Sequence, residues 1–432
     1  MLGKARLKGE TPQQTRTRLL EVSVFGLKYG KSEPKTSHNP LTEISAVWAY
    51  TPNFAPEPSV DVPARLSAAR FGQRQKVIAI NQNVCPVRLV AVATAVPEHV
   101  VPQAVAADGA RRCFGSRMAG YERLSRVFAA TGVERRYFAV PLRWFDEPHG
   151  WKERTSAYVA GACALFERVV AGALDAAKLE TSKIDAVVFV SSTGISTPSI
   201  EARMMPKLGF RPDAMRVPVF GLGCAGGVSG FGLAARLAAG RPGSTVLLVA
   251  IELCSLAFRI DRATKADVIA TSLFADGAAA AVLSSDAGPG PLVLGSTEHL
   301  WPGTLDVMGW SIDEVGLGVS LLRSLPSFVA ARYRQVYDTA LVRMGLEREH
   351  VKRVICHPGG AKVLAALESA LDVPVGTLEH ERTVMRDFGN MSSPTALFVL
   401  ERAMQSGLPQ LCVFAALGPG FTASFVTLAQ PQ

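Results

Sequence analysis

From Val87 onward, the chain alternates between short apolar segments and longer segments rich in alanine and leucine. The short segments are continuous apolar runs, typical of strands in sheets that are covered on both faces. They predict strands at 87–96, 184–193, 244–253, 277–285, 351–357, 411–418 and 423–429. The longer segments predict helices at 155–177, 228–239, 325–345, 361–371 and 394–405. This alternation indicates a layered α/β fold, and its occurrence in two stretches, roughly 87–285 and 290–430, fits two similar halves packed together.

Residues 1–85 have a different texture, with segments such as KSEPKTSHNP and no sustained period of 2 or 3.6. We predict a disordered or loosely attached extension, or a start of translation assigned too far upstream. Short helical turns are possible near 16–24 and 63–71.

Composition narrows the class of protein. The chain has 432 residues, of which 48% are hydrophobic, enough to bury a large core as one two-part unit or two domains. The net charge is +9, but residues 1–85 hold 12 Lys/Arg and 6 Asp/Glu, against 34 and 31 in the remainder. The rest of the chain is therefore nearly neutral and lacks the basic stripe that nucleic-acid binding requires.

Membrane insertion and export are not expected either. No apolar run reaches the roughly 18 residues of a membrane span, and the basic N-terminus lacks the apolar stretch of a signal peptide. The seven cysteines are scattered without the spacing of a zinc site. An odd number of cysteines in a large chain without an export signal favours reduced thiols and a cytoplasmic location.

Cys224 lies in the segment VPVFGLGCAGGVSGFGLAARLAAG (217–240), where an apolar run changes into a helical pattern. This position predicts a cysteine at a helix N-terminus, where partial positive charge and unpaired N–H groups stabilise a thiolate. Glycines at 221, 223, 226 and 227 would allow a sharp turn and close approach of a substrate. The structural alternative is a buried cysteine beside glycines that serve tight helix packing.

Two further polar residues stand at comparable positions. His357, in VICHPGGAKV, follows an apolar strand and precedes a Gly-Gly turn, from which its ring could pair with Cys224 as an ion pair. Asn390, in RDFGNMSSPTALFVL, lies in a tight turn that leads into a helix. Each has a structural alternative, a core histidine with satisfied hydrogen bonds and a turn residue with Ser392 or Ser393 as the helix cap.

Together, these three side chains suit one reaction. A thiolate accepts an acyl group from a thioester, and two hydrogen-bond donors hold the carbonyl of a second thioester as it loses CO₂ and becomes an enolate. No general base is needed, because decarboxylation itself generates the carbanion.

With these motifs, the chain resembles the type III polyketide synthases, the chalcone and stilbene synthase family of the thiolase superfamily, from about Val87 to Ala429. The motifs are GCAGG around Cys224, CHPGG around His357, GNMSS around Asn390, and LGPGFTASFV at 417–426. The resemblance implies a thiolase-like five-layered αβαβα fold with halves at 86–288 and 289–432. It also implies a homodimer that uses acyl-CoA starters and malonyl-CoA, with no carrier protein, bound cofactor or metal.

The resemblance further implies roles for individual residues. Cys224 would load the acyl group, while His357 and Asn390 would support decarboxylation and condensation. Phe274 matches a gatekeeper aromatic between the CoA tunnel and the cavity. Other cavity-lining positions match Ser192, Thr193, Ser392, Gly418, Pro419 and Gly420. Arg123 and Arg126 match basic residues that meet CoA phosphates, although solvated helix charges are the alternative.

Several of these positions depart from the plant pattern. A third basic position is Ala130, a second gatekeeper phenylalanine is Val319, and a dimer-contact methionine is Thr197. Two cavity threonines are Cys254 and Ala257, and Trp310 stands near Gly309, which tunes cavity size in relatives. Loss of a phenylalanine ring at 319 should open an apolar channel. The alternative is that these substitutions only repack the wall around an aromatic starter.

The texture around these positions is similar to that of bacterial members that make alkylresorcinols and alkylpyrones. We therefore predict an acyltransferase that extends a fatty acyl starter with malonyl-CoA and cyclises the product. The alternatives are an aromatic starter, a β-ketoacyl-carrier-protein synthase III that stops after one condensation, and a non-catalytic acyl-binding relative. A thiolase or hydroxymethylglutaryl-CoA synthase would need a second catalytic cysteine or a glutamate base, and neither is apparent.

Overall fold

The structure is a computed structural model and describes residues 85–321 and 325–431. Thirteen strands lie in these ranges: β1 (Val87–Ala95), β2 (His99–Pro102), β3 (Arg135–Phe138), β4 (Ala186–Val190), β5 (Met215–Val219), β6 (Thr245–Leu253), β7 (Asp276–Ser284), β8 (Leu292–Leu300), β9 (Met308–Ile312), β10 (Leu317–Leu321), β11 (Arg353–Cys356), β12 (Leu411–Gly418) and β13 (Thr422–Ala429). The predicted extension at 1–85, apart from Cys85, and the predicted turns near 16–24 and 63–71 lie outside the described residues.

Eleven helices connect these strands within the described ranges. They are α1 (Gln103–Phe114), α2 (Tyr121–Leu124), α3 (Val127–Ala130), α4 (Trp151–Ala177), α5 (Ile200–Met204), α6 (Gly226–Gly240), α7 (Lys265–Leu273), α8 (Leu325–Arg343), α9 (Ala361–Leu371), α10 (Glu379–Phe388) and α11 (Ser393–Gln405). Each of the five predicted helices corresponds to one of these, with ends displaced by up to four residues.

Nine strands form one mixed sheet in the order β11-β12-β13-β8-β1-β7-β6-β4-β5. Strands β1 and β8 pair only through Val87–Val293 and Arg88–Leu292, so this short junction joins two smaller sheets. One contains β1 and β4–β7, from the first half of the chain, and the other contains β8 and β11–β13, from the second. Two separate two-stranded antiparallel sheets, β2–β3 and β9–β10, lie outside this sheet.

Three apolar clusters lie between the helices and sheets of a five-layered arrangement. Helix α4 packs on the outer face of the first sheet, and helices α8 and α9 pack on the outer face of the second. Between the two sheets, helices α6 and α11 share one cluster with the inner faces of both sheets. This αβαβα arrangement confirms the predicted fold class, because each sheet is covered on both faces.

Helix α4 is long and apolar enough by length and composition to cross a membrane, so the expectation that no segment reaches this length was wrong. In this fold one side of the helix is buried against the first sheet, through residues such as Phe166, Val169 and Val170. The apolar character of α4 is thus accounted for by core packing.

Some elements were not predicted from the sequence. Strand β5 carries Arg216 and Pro218, which fits its place at the sheet edge and obscures an apolar pattern. Strand β8 is only partly buried and contains Gly295 and Glu298. Helix α10, with the sequence EHERTVMRDF, is mostly charged. Apolar periodicity is weak in β5 and β8, whereas α10 buries Glu381, Val384 and Met385 at helical spacing but has too few apolar residues to stand out among its charges.

Candidate active site

Cys224 stands in a single 3₁₀ turn, Gly223–Ala225, between strand β5 and helix α6. Gly221 and Gly223 adopt φ values of +92° and +46°, which favour glycine and produce the predicted sharp turn. Gly226 and Gly227 have a different role from the one expected. A Cβ on Gly226 would lie 2.6 Å from Val190, and one on Gly227 would lie 2.2 Å from the Ser393 carbonyl oxygen. These two glycines serve close packing of α6 and do not make room for a substrate.

The Cys224 side chain is buried, and this affects its acidity. Burial raises the pKa of the Cys224 thiol to about 11, and the Ser392 side chain, which is hydrogen-bonded to it, lowers that value only in part. Burial thus opposes the thiolate that the helix N-terminus was expected to stabilise. A thiolate in this enclosed site needs a positive partner.

His357 follows strand β11, and its backbone N–H donates to the Ala415 carbonyl at 2.9 Å. The ring is buried, and neither Nδ1 nor Nε2 has a hydrogen-bond partner. Burial lowers the pKa of His357 to about 3. The structure contains no Cys224–His357 hydrogen bond, so the ion pair stays a prediction, and burial opposes each of the two charges taken separately. A proton passed from thiol to imidazole would create two opposite charges that stabilise each other.

Asn390 is held in place through both its backbone and its side chain. Its N–H donates to the Leu273 carbonyl, and its own carbonyl accepts the Ala275 N–H, both at 2.9 Å. Side-chain Oδ1 accepts the Ser392 N–H at 2.8 Å, and Nδ2 donates to the Gly359 carbonyl at 3.4 Å. Because Oδ1 is occupied, the amide group presents its N–H₂ toward the segment that follows His357.

One cavity of about 850 Å³ brings the three side chains together, since Cys224, His357 and Asn390 all line it. Its wall also contains Phe274, Leu417 and Phe421. A nucleophilic sulfur, an imidazole without a partner and an amide N–H₂ in one chamber can load an acyl group and hold the oxygen of an enolate.

Four cationic side chains line the same cavity. The predicted Arg123 and Arg126 are joined by Lys265, at the start of α7, and Lys362, at the start of α9. All four are exposed, and within residues 85–321 and 325–431 none forms an ion pair. Ala130 lines the cavity too, at the position where a third basic residue was expected. The two lysines were missed because they are far from the arginines in sequence.

A second cavity, of about 420 Å³, shares Phe274 with the first, since this residue lines both. The predicted positions Cys254, Ala257 and Val319 line this second cavity, together with further apolar residues such as Phe145 and Phe258. Trp310 lies against the Phe274 ring, with centroids 6.2 Å apart. Val105 and Leu142, 39% and 40% exposed, line the cavity and reach the surface.

Other predicted cavity residues lie behind the wall of these cavities. Ser192, Thr193 and Ser392 are buried but line neither cavity. Ser192 and Thr193 belong to a network around the buried Glu252, a residue not predicted. Glu252 Oε2 accepts the Ser192 N–H at 2.9 Å and the Thr193 hydroxyl at 2.8 Å, and Oε1 accepts the Ser393 hydroxyl at 3.0 Å. Burial raises the pKa of Glu252 to about 7. The sequence feature that could have identified Glu252 is a glutamate within an apolar run, IELC.

The loop Gly418–Pro419–Gly420 also lies behind the wall, whereas its neighbours Leu417 and Phe421 line the cavity. A Cβ on Gly418 would lie 2.5 Å from the Ala225 Cβ, so the loop supports the Cys224 turn. Thr197 is exposed, precedes Pro198 through a cis peptide bond and lines neither cavity. No group of three or more potential metal ligands occurs among the described residues.

The five-layered fold and its buried thiol, imidazole and carboxamide define a condensing enzyme of the thiolase-like class. Two family models match the chain, those of the N-terminal domain of chalcone and stilbene synthases, at residues 75–287, and of their C-terminal domain, at residues 292–429. The chain belongs to this family, and it is a type III polyketide synthase, an acyltransferase that acts by condensation.

Named relatives agree with this assignment. The chain is 35% identical to a 1,3,6,8-tetrahydroxynaphthalene synthase of Streptomyces peucetius, covering 85% of this chain and 98% of that one. It is 30% identical to an alpha-pyrone synthesis polyketide synthase-like protein, Pks18, of Mycobacterium tuberculosis, covering 82% and 94%. The crystal structure of a tetrahydroxynaphthalene synthase of Streptomyces coelicolor superposes with a TM-score of 0.76 at 26% identity, covering 80% and 99%.

Proposed function

We propose that this polyketide synthase loads a fatty acyl group from CoA onto Cys224, extends it with malonyl-CoA, and releases an alkylpyrone or alkylresorcinol. The observation that carries the proposal is the second, mainly apolar cavity beside Phe274, with Val319, Cys254 and Ala257 in its wall. Such a cavity can hold an alkyl chain while the thioester carbon remains in the first cavity.

Loading would begin with proton transfer from the Cys224 thiol to the free nitrogen of His357. The sulfur then attacks the carbonyl carbon of the acyl-CoA, and the tetrahedral intermediate collapses with loss of the CoA thiolate. The imidazolium returns its proton to that leaving group. The unpartnered ring nitrogens of His357 support this role, because no other group competes for them.

Extension would use His357 and Asn390 as oxyanion donors. The malonyl carboxylate leaves as CO₂, and the electron pair moves onto the thioester carbonyl oxygen, which the two donors stabilise. The resulting enolate carbon attacks the acyl carbonyl on Cys224 and expels the sulfur. The amide orientation fixed by Ser392 supports this assignment, since it directs N–H groups and not a carbonyl oxygen.

Lys362 and Lys265 would bind the CoA phosphates with Arg123 and Arg126, replacing the cation absent at Ala130. Lys362→Ala is expected to raise the KM for acyl-CoA and malonyl-CoA about threefold to tenfold, and kcat should change little, because a distant phosphate contact provides uniform binding. Initial rates at two ionic strengths would measure this, and added salt should affect the variant less. Lys352→Ala, at an exposed lysine outside both cavities, is the matched control. Unchanged KM values would remove Lys362 from the site.

Val319→Phe is expected to restore a ring in the wall of the second cavity. We expect kcat/KM for palmitoyl-CoA to fall about tenfold or more, while kcat/KM for hexanoyl-CoA changes by less than about threefold, since only the long chain needs that space. Val319→Ala, which leaves the cavity open, should retain the long-chain activity. An equal loss with both starters in Val319→Phe would contradict an acyl-chain site there.

Product profiling tests the proposed function as a whole. Purified protein is incubated with hexanoyl- to palmitoyl-CoA, with an aroyl-CoA, or with no starter, in the presence of labelled malonyl-CoA. Alkylpyrones or alkylresorcinols from the fatty starters would support the proposal. Products only from aroyl-CoA, or from malonyl-CoA alone, would contradict it. A single condensation that requires a carrier protein, or acyl-CoA binding without turnover, would do the same.

We further propose a homodimer that forms through the edge of the sheet at β5. Within the described residues, β5 pairs with β4 on one side only, and exposed apolar side chains lie on it at Met215 and next to it at Phe220, each more than half exposed. Native proteins normally cover or protect sheet edges of this kind. Sedimentation equilibrium would test the dimer, and Met215→Glu should weaken it.

We also propose that the chain divides at 288/289, with the nucleophile in one half and the two donors in the other.

The seven free thiols support a reducing, cytoplasmic location.

A further inference from the structure

Arg136, on strand β3, is a buried cation without a carboxylate partner. The residue is fully enclosed, and within the described residues no acidic group lies at ion-pair distance from it. Its Nε has no hydrogen-bond partner, and burial lowers its pKa to about 9. Such a residue is unfavourable unless its hydrogen bonds perform a specific task.

Three of its hydrogen bonds converge on one place, the end of helix α7. Nη1 donates to the carbonyls of Thr271 at 2.5 Å and Phe274 at 3.2 Å, and Nη2 donates to that of Ser272 at 2.9 Å. Carbonyls at a helix end lack partners within the helix and carry partial negative charge, so a guanidinium satisfies several of them together. The residue that follows the helix is Phe274, which lines both cavities.

Gln103 extends this cluster toward the cationic wall of the first cavity. Its Oε1 accepts a hydrogen bond from Arg136 Nη2. Its Nε2 donates to the Phe128 carbonyl at 2.9 Å, to Thr131 Oγ1 at 3.0 Å and to the Ser272 carbonyl at 3.1 Å. Gln103 therefore ties the α3 segment, next to Arg126, to the end of α7.

The same helix end also holds Asn390. Residues Leu273 and Ala275, on either side of Phe274, make both backbone hydrogen bonds of Asn390. Strand β3 packs against this segment as well, since a Cβ on Gly389 would lie 3.5 Å from the Arg136 Cβ. Movement of the α7 end would thus displace the Phe274 ring and the Asn390 amide together.

We propose that Arg136, together with Gln103, is a positioning residue for the condensation step, which acts through Phe274 and Asn390 without touching the substrate. The inference rests on the roles proposed above for those two residues. Loss of the guanidinium fork would let the Asn390 N–H₂ group and the gatekeeper ring shift relative to the Cys224 thioester. More malonyl-CoA would then lose CO₂ without forming a carbon–carbon bond, since both steps depend on this alignment.

The test uses Arg136→Lys, which keeps the charge but supplies a single donor point in place of the planar fork. Gln103→Leu is the milder second variant, and Arg135→Lys, at an exposed neighbour paired with Asp387 at 3.4 Å, is the matched control. The assays are KM for acyl-CoA, kcat for the condensed product, and CO₂ released from labelled malonyl-CoA per product formed. A thermal melt identifies folded protein.

For Arg136→Lys we expect kcat to fall about tenfold or more, with KM for acyl-CoA within about twofold, and the CO₂-to-product ratio to rise. Gln103→Leu should move the same ratio less, and Arg135→Lys should not move it. A folded Arg136→Lys protein with an unchanged kcat and an unchanged CO₂-to-product ratio would overturn the inference. A lower activity that reflects only a smaller fraction of active protein, with the CO₂-to-product ratio unchanged, would overturn it as well. If Arg136→Lys does not fold, Gln103→Leu decides by the same criteria.

Asn390→Ala and Phe274→Ala separate this inference from the proposed function. If those two variants alter the CO₂-to-product ratio and Arg136→Lys does not, only the positioning role fails. If neither of them changes the rate of CO₂ release, the rate of product formation or their ratio, the proposed roles of Asn390 and Phe274 themselves fail.

Discussion

Replacement of Cys224 by alanine is expected to abolish acyl-enzyme formation and to lower product formation on the order of a thousandfold or more, since the sulfur would be the covalent nucleophile. Mass spectrometry after incubation with decanoyl-CoA would detect the acyl adduct on the wild-type chain and none on the variant. Cys163→Ala, at a half-buried cysteine on α4, is the control and should load normally. An adduct on Cys224→Ala would show that another thiol carries the acyl group.

The acidity of the thiol provides a linked measurement. Burial raises the pKa of Cys224 to about 11, and the proposed function assigns His357 as the acceptor of the thiol proton. In His357→Gln, the rate of iodoacetamide alkylation at pH 7 should fall about tenfold or more, and the alkylation profile should move to higher pH. Equal alkylation of wild type and variant would exclude the pairing of thiol and imidazole.

Replacement of Asn390 by alanine is expected to lower the rate of condensation about a hundredfold to a thousandfold, the usual effect of removing one oxyanion donor. Acyl loading on Cys224 should persist, because the amide would act on the extender thioester. Rapid-quench measurement of acyl-enzyme formation and of product would separate the two steps.

Gln405→Ala, an exposed amide at the end of α11, is a suitable control for Asn390→Ala and should retain both steps. Loss of loading in parallel with condensation would assign Asn390 to the turn alone, as its hydrogen bonds to Leu273 and Ala275 would also allow.

Local patterns predicted most of the fold. Strands β6, β7 and β12 are almost entirely buried, and their continuous apolar runs identified them directly. Edge strand β5 was missed because it buries little surface, and helix α10 was missed because charged residues outnumber the apolar residues on its short buried face. The glycine turn at Cys224 was also predicted, but the sequence could not distinguish the turn glycines from the packing glycines. Only the neighbours Val190 and Ser393 make that distinction.

The residues of the candidate site also fall into those that local sequence identified and those that it did not. Cys224, His357 and Asn390 were recognised because each stands at a glycine-bearing end of a strand or helix, which is a local feature of the sequence. Lys362 and Glu252 were missed, because their importance depends on which distant segments they meet. The strong rise in thiol pKa was missed for the same reason, since it comes from enclosure by the whole site.

By itself, the sequence determined the two α/β halves, the sharp turn at Cys224 and the three polar groups of the candidate site. These follow from apolar periodicity and glycine conformation, which act over a few residues. Only the tertiary structure decided that four cations line one cavity, that Phe274 lines this cavity and a second one, and that Arg136 binds the end of α7. Those properties arise where segments more than a hundred residues apart come into contact, and no local pattern specifies such contacts.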